Sequence, residues 1–251
     1  MRNRLPVVLF VLMMLVCFSA GAISILLKGS ETPIPGLVST PFESIEIAPT
    51  APMRSGAISV LVMGVDEIET EKPKILSVWF ISFHPPDKNI QLLGVPTDFL
   101  LPDTEIPLSD AFSLWDPPDY GADFIAAMDA FSPHPIAGIA VLDEEGYSAL
   151  IDYLGGYSLD DQEYDGASAI GTLRLLENQP LIALKLQAQI LRALSVKVPG
   201  LGETPELTPL TLLVPENAYT SPSPAQLATL AIPLLPLQAD LIEITIMESQ
   251  P

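Results

Sequence analysis

Carboxylate and hydroxyl side chains follow two apolar segments of this sequence at the points where those segments end. Asp66 comes directly after the run AISVLVMGV, and Thr97 and Asp98 follow Pro96 at the end of NIQLLGV. Side chains placed after a buried strand often lie at a functional edge of a sheet. A carboxylate there binds a divalent cation or accepts hydrogen bonds from its own turn. For both Asp66 and Asp98 the sequence favours the second, structural role.

Groups that bind anions, nucleic acid or transition metals are scarce. The chain has 31 acidic and 11 basic residues and a formal net charge of −20. Such a surface repels phosphates, so we predict that the protein does not bind nucleic acid. The single cysteine, Cys17, excludes an internal disulfide, and His84 and His134 both precede prolines in predicted loops. The sequence contains no Gly-rich phosphate loop, nucleophile elbow or Ser-His-Asp set.

The elements that position these residues alternate between strand and helix. Apolar runs that stop at Pro, Gly or Asp predict strands over residues 57–66, 75–86, 89–96, 136–143 and 240–247. Helical periodicity and capping residues predict helices over 121–131, 144–154, 181–194 and a segment that begins at Ser223. The acidic segment Leu159–Asp165 is predicted to be a solvated loop in preference to a loose Ca²⁺ site. This order predicts an α/β fold, an α-β-α sandwich with a central mixed sheet.

The N-terminal 28 residues are predicted to be a membrane anchor that forms a transmembrane helix. No charged residue occurs from Leu5 to Leu27, and about 20 apolar residues suffice to cross a bilayer. Arg2 and Arg4 precede this run, which places the rest of the chain outside the cell. Two alternatives stay open: a cleaved signal peptide that ends near Ala20–Ala22 and, with less support, a lipoprotein signal at Cys17.

The rest of the chain is predicted to be a linker followed by one domain. Residues 29–56 are rich in Pro, Ser and Thr and show no sustained periodicity, as is typical of an extended tether. Residues 57–251 carry all the predicted strands and all the predicted helices except the membrane anchor. We therefore expect a single-pass protein of the cell membrane whose C-terminal domain is extracellular.

Four segments, in this order and spacing, resemble the LytR-CpsA-Psr family of bacterial cell-envelope proteins. They are VLVMGVD at Val60–Asp66, VWFISFHPPDKNIQLLGVPTDFLL at Val78–Leu101, IAGIAVLDEEGYSALIDYLGG at Ile136–Gly156 and LKLQAQILRAL at Leu184–Leu194. The resemblance implies an anchored extracellular α/β domain with an apolar groove for a polyprenyl lipid. For an active member it implies transfer of a glycopolymer from polyprenyl diphosphate to the cell wall, with Mg²⁺.

The resemblance also assigns candidate site residues. It implies that Asp66, Asp98 and Arg174 are catalytic and that Asp66 is the metal ligand. It further implies that Lys74 and Thr97 contact the substrate. The chain departs from the family pattern at four positions that are normally charged. Leu76 stands where an aspartate is expected, and arginines are replaced by Thr97, Ala183 and Leu186.

These departures favour a domain that binds diphosphate weakly, because each lost charge-assisted contact removes about 1.5–3 kcal/mol. The leading interpretation is a catalytically impaired LytR-CpsA-Psr-like domain that binds a polyprenyl-linked glycan lipid or envelope proteins, or has a regulatory role. The alternative is an active phosphotransferase with a rearranged site that uses Asp66, Asp98, Lys74 and Arg174. A third interpretation is a structural envelope protein without a ligand. No cofactor is expected apart from the Mg²⁺ of an active enzyme.

Overall fold

The computed structural model describes residues 56–70, 72–84, 87–114, 120–201, 216–221, 223, 226, 230, 234 and 236–248. The predicted anchor at Leu5–Leu27 lies outside these residues, as does the predicted linker except for Gly56. Within the part of the chain that is described, no helix is long and apolar enough to cross a membrane. The anchor and the extracellular location therefore remain predictions.

A six-stranded mixed sheet forms the centre of the domain. Its strands are β1 (Ile58–Val65), β2 (Ile75–Phe83), β3 (Ile90–Gly94), β4 (Ile136–Leu142), β7 (Ala218–Ser221) and β8 (Ile242–Ile246). They lie in the order β7-β4-β1-β2-β3-β8. The pairs β1·β4 and β3·β8 are parallel, and β1·β2, β2·β3 and β4·β7 are antiparallel. The C-terminal ends of β1, β3 and β4 therefore meet at one edge of the sheet, beside the start of β2.

Helices cover both faces of this sheet, which confirms the predicted α-β-α sandwich. They are α1 (Leu108–Ala111), α2 (Ala122–Phe131), α3 (Glu144–Tyr153), α4 (Gly166–Leu176) and α5 (Pro180–Lys197). Val60 and Val62 of β1 belong to the core beneath α3, α4 and α5. Leu61 and Met63 belong to the core beneath α1 and α2. Successive side chains of β1 are thus buried on opposite faces, which explains why this strand is apolar throughout.

Helix α3 begins and ends where the sequence predicts. The Asp143 side chain accepts a hydrogen bond from the Gly146 backbone N–H at 2.8 Å and so caps the first turn. The chain leaves the helix at Gly155 and Gly156, whose φ angles are +77° and +72°. At Ser223 the predicted capping contact is present in part, because its backbone N–H donates to the Gln226 side chain at 3.1 Å. Most of the helix predicted there lies outside the described residues.

The acidic segment predicted as a solvated loop instead forms a hairpin. Strands β5 (Tyr157–Leu159) and β6 (Gln162–Tyr164) pair in antiparallel fashion. The two residues between them, Asp160 and Asp161, have φ angles of 49° and 62°. Aspartate tolerates this left-handed region better than most residues, so an Asp-Asp pair can close a two-residue turn. Helix α4 follows the hairpin directly and was also not predicted.

Candidate functional site

An acidic cleft of about 860 Å³ opens where β1 and β4 end. Its walls are the loop after β1, the first turn of α3, the last turn of α4 and the turn before β7. Eight carboxylates and two basic side chains line it. The carboxylates belong to Asp66, Glu67, Glu69, Asp143, Glu144, Glu145, Glu177 and Glu216, and the basic side chains belong to Lys74 and Arg174. The structure therefore brings together three of the residues assigned from the sequence: Asp66, Lys74 and Arg174.

The Asp66 carboxylate is bonded to the backbone of its own loop. Its Oδ1 atom accepts hydrogen bonds from the backbone N–H groups of Glu67 and Lys74, both at 2.8 Å. A backbone bond from Asp66 N–H to the Lys74 carbonyl, at 3.1 Å, closes the same loop. The loop between β1 and β2 is thus held by one aspartate, which is the structural role that the sequence favours.

The Lys74 ammonium forms an ion pair across the cleft. Its Nζ lies 3.0 Å from Oε2 of Glu177, the residue that ends α4. Both side chains are about half exposed, at 45% and 42%. Exposed pairs of this kind contribute about 0–1 kcal/mol, because water and salt screen them. Lys74 is therefore paired, but weakly.

Arg174 forms a second and tighter ion pair with Glu144. Its Nε donates to both carboxylate oxygens, at 3.2 and 3.1 Å, and its Nη2 also donates to Oε2. The Glu144 side chain is only 9% exposed, whereas that of Arg174 is 68% exposed. The hydrogen bonds to Glu144 raise the pKa of Arg174. A nearly buried carboxylate is costly without its counterion, so Glu144 holds Arg174 in place.

A second buried carboxylate lies beside this pair at the start of α3. Burial raises the pKa of Asp143 despite the hydrogen bonds that it accepts from Gly146 and Asn217. The Asn217 amide donates to Asp143 at 3.3 Å and to Glu145 at 3.4 Å. These bonds tie the turn before β7 to the first turn of α3. The wall of the cleft that these two turns form is therefore held by polar contacts.

Several solved structures share the arrangement of strands and helices over most of this chain. The transcriptional regulator YvhJ from Bacillus subtilis is similar over 79% of this chain and 85% of its own, at 18% identity and a TM-score of 0.56. TagT bound to LIIa-WTA is similar over 84% of this chain and 85% of its own, at 14% identity and a TM-score of 0.56. A LytR-Csp2A-Psr enzyme from Actinomyces oris is similar over 81% of this chain and 83% of its own, at 15% identity and a TM-score of 0.53.

This chain has the LytR-CpsA-Psr fold. The resemblance in fold expected from the sequence is thereby confirmed. No protein-family model matches the sequence, and no curated protein matches it. At identities of 14–18% the likeness establishes the fold alone.

Three of the four positions at which this chain departs from the LytR-CpsA-Psr pattern lie in the cleft or in the buried part of α5. Leu76 lines the cleft, so an apolar side chain is present where the family pattern expects a carboxylate. Ala183 and Leu186, which stand in place of arginines, are buried in α5 at 4% and 6% exposure. Leu186 belongs to the core between α5 and the sheet, and neither side chain offers a charge to a ligand.

Thr97 and Asp98 are not among the residues that line the cleft. They follow β3 at the same edge of the sheet, in a turn closed by a bond from Phe99 N–H to the Pro96 carbonyl at 3.2 Å. The Thr97 carbonyl accepts from Ser109 N–H at 3.1 Å, and the Asp98 side chain is exposed. The structure therefore does not bring these two candidates together with Asp66, Lys74 and Arg174 in the cleft.

The carboxylates of the cleft do not fit a Mg²⁺ ion. Mg²⁺ requires near-octahedral oxygen ligands at about 2.0–2.1 Å. One oxygen of Asp66 is already bonded to two backbone N–H groups, and Glu144 and Glu177 are bonded to cations. Among the described residues, no three acidic, histidine or cysteine side chains come close enough together to hold a metal. No step of a reaction is therefore assigned to a metal here.

Sequence reasoning missed the two residues that pair with the basic groups of the cleft. Neither Glu144 nor Glu177 is among the candidate site residues that the sequence predicts. The pairs join Glu144 to Arg174 across 30 positions and Lys74 to Glu177 across 103 positions. No local pattern marks contacts of that kind, because only the packing of α4 against α3 and the first loop creates them.

Proposed function

We propose that this protein is an envelope domain of the LytR-CpsA-Psr type that does not transfer a glycopolymer and acts through binding or regulation. The observation that carries the proposal is the state of Lys74 and Arg174. Both are ion-paired with glutamates inside a cleft that holds six further carboxylates. The protein would be attached to the cell membrane through Leu5–Leu27 and would present this domain on the outer side.

A diphosphate is poorly matched to such a cleft. It carries two or three negative charges at neutral pH and is normally bound by several Arg or Lys groups, backbone N–H donors or a metal. Here each basic group already has a carboxylate partner, and binding a phosphate means breaking that pair. Breaking the Arg174 pair leaves Glu144 nearly buried and uncompensated. Diphosphate binding and stabilisation of a phosphoryl-transfer transition state are both disfavoured.

The packing beneath the helices bears on the choice between a lipid and a protein partner. Trp79 is fully buried, and its Nε1 donates to Gln187 Oε1 at 2.8 Å. A Cβ atom on Gly94 would lie 3.0 Å from both Leu184 and the Trp79 ring. Sheet and helix α5 are thus in direct contact at this point, with little room for an isoprenoid chain. This packing disfavours a polyprenyl groove at this point of the fold.

The proposal is tested by assaying the full-length protein in detergent. The assay uses a polyprenyl-diphosphate-linked glycan, peptidoglycan as acceptor and Mg²⁺, with an active transferase of the same fold as positive control. We expect no transfer above the level without protein. Robust Mg²⁺-dependent transfer that Asp66→Ala abolishes would instead establish the phosphotransferase alternative.

Native mass spectrometry of the same preparation separates the possible partners. We expect the protein to be released without a co-purified polyprenyl mass. A retained polyprenyl mass would assign the domain to lipid binding instead.

A further inference from the structure

We infer that Glu144 and Glu177 act as internal counter-anions that keep other anions out of the cleft. They pair with Arg174 and Lys74, which are the only two basic groups among the described residues that line the cleft. This inference rests on the proposed function, because it names the contacts that prevent diphosphate binding. The cleft is self-inhibited toward anions: each glutamate takes the position at its cation that a phosphate oxygen would take.

The Arg174 contact is the stronger of the two blocks. The guanidinium binds both oxygens of Glu144 through Nε and Nη2, which is the two-point geometry with which arginine binds a phosphate. Because the Glu144 carboxylate is nearly buried, it has little access to water if Arg174 turns away. An anion that competes for Arg174 must therefore leave a buried charge behind, and this makes the block persistent.

The Lys74 contact is the weaker block. Lys74 and Glu177 are both about half exposed, and water can replace either partner. The Lys74 backbone N–H is held by Asp66, which fixes the backbone of this residue at the wall of the cleft. The two blocks therefore differ in strength, and the difference gives an order of effects that an experiment can detect.

Isosteric glutamines remove the blocking charges without removing the side chains. We would titrate inorganic pyrophosphate, without divalent cations, into the full-length protein in detergent by calorimetry. The proteins compared are the wild type, Glu144→Gln, Glu177→Gln and the double variant. The matched control is Glu67→Gln with Glu69→Gln, which removes two negative charges from the same cleft. Glu67 and Glu69 line the cleft, and neither takes part in an ion pair among the described residues.

We expect the double variant to bind pyrophosphate at least about tenfold more tightly than the wild type, because two charge-assisted contacts become available. Glu144→Gln should give a larger gain than Glu177→Gln, and the matched control should give a smaller gain than the double variant, which frees both cations. Equal gains in the double variant and the matched control would overturn the inference, since general charge reduction would then explain them. No gain in any folded variant would overturn it as well.

Two further results keep this test separate from the proposed function. Tight pyrophosphate binding by the wild type would contradict the proposed function itself, whatever the variants do. If the double variant does not fold, Glu177→Gln decides the matter, because its side chain is 42% exposed and its replacement should not unfold the domain. Absence of any gain in that folded variant relative to Glu69→Gln would then count against the inference.

Discussion

The Asp66 carboxylate serves its own loop, and this makes its replacement a test of stability. Asp66→Ala removes two hydrogen bonds to backbone N–H groups, at Glu67 and Lys74. We expect a loss of about 1–2 kcal/mol in the free energy of unfolding, measured by urea denaturation. Asp66→Asn keeps the accepting oxygen and should recover most of it. Asp98→Ala, at an exposed position, is the control and should change stability by less than about 0.5 kcal/mol.

Replacing Arg174 should cost far more than replacing Lys74, although both lose one ion pair. Arg174→Gln leaves the Glu144 carboxylate nearly buried without its cation, and we expect a loss of about 2–3 kcal/mol. Lys74→Gln breaks an exposed pair and should cost about 0–1 kcal/mol. Urea denaturation at neutral pH measures both.

A double replacement, Arg174→Gln with Glu144→Gln, is the control for the Arg174 result. It removes the stranded charge and should restore part of the loss. If Arg174→Gln and Lys74→Gln have equal effects, the Glu144 carboxylate is solvated in solution and the proposed difference between the two pairs is wrong.

Asp143 should make the domain less stable as the pH rises above the ordinary range of an aspartate. Burial raises its pKa in the folded state, so the folded state binds more protons than the unfolded state between the ordinary and the raised pKa. Unfolding free energy therefore falls with increasing pH across that window. Asp143→Asn keeps an oxygen to cap α3 but cannot ionise, so its unfolding free energy should fall less between pH 4 and pH 7.

For Asp143→Asn the quantity to compare is the slope of the unfolding free energy with pH. The new amide faces the Asn217 amide and lowers stability equally at both pH values, so it does not change that slope. Acid titration of the wild type and of Glu145→Gln supplies the background from other carboxylates. An Asp143→Asn variant whose pH dependence equals that of the wild type would show that this carboxylate is not responsible.

At the scale of the elements, helix α4 depends on one close contact with α3. A Cβ atom on Gly166 would lie 2.1 Å from the Ser148 carbonyl oxygen, far inside van der Waals contact. Its backbone N–H also donates to Asp152 at 2.8 Å. Gly166→Ala must push α4 away from α3, and we expect it to lower the unfolding free energy by about 3 kcal/mol or more.

Gly155→Ala is the matched control for Gly166→Ala. Gly155 has a φ of +77°, but an added Cβ would meet no atom within 4 Å. Its replacement should therefore cost only the backbone term of about 1–2 kcal/mol. Moving α4 also moves Arg174, so Gly166→Ala should weaken the pair with Glu144 while Gly155→Ala should not. Equal losses in the two variants would contradict the packing argument.

The strands could be predicted closely because each is a buried apolar run with a sharp end. The run over 57–66 became Ile58–Val65, and the run over 136–143 became Ile136–Leu142. The hairpin at Tyr157–Tyr164 could not be predicted in this way, because its strands are three residues each and only Tyr157 among the strand residues is buried. The paired residues Tyr157 and Tyr164 stack, with ring centroids 5.3 Å apart, and Tyr157 joins the hairpin to the core beneath the helices.

The candidate site was predictable in part, for a reason that concerns topology. The resemblance to the LytR-CpsA-Psr family predicts Asp66 and Arg174 as site residues, and the fold brings both to one cleft. Asp98 was assigned in the same way, yet the loop after β3 is closed on itself and on Ser109. The pairing of Arg174 with Glu144 was invisible in the sequence, because it depends on the distance between two helices.

At the scale of the whole molecule, the excess of negative charge should make the domain more stable in salt. The chain carries 31 acidic and 11 basic residues, and four of the basic ones, Lys74, Arg174, Lys185 and Lys197, form ion pairs with carboxylates in the described domain. Added salt weakens these few attractions, but it also screens the much more numerous repulsions between unpaired carboxylates.

We therefore expect the Tm of the full-length protein in a nonionic detergent to rise between 20 and 300 mM NaCl. A rise of about 2–4 °C corresponds to about 1 kcal/mol for a domain of this size. The same gain with KCl would identify screening as the cause, whereas a gain limited to one salt would indicate binding of a specific ion. Lowering the pH toward 4.5 should reduce the effect, because protonated carboxylates no longer repel one another. A Tm that falls as salt is added would mean that the ion pairs contribute more to stability than the repulsion between unpaired carboxylates removes.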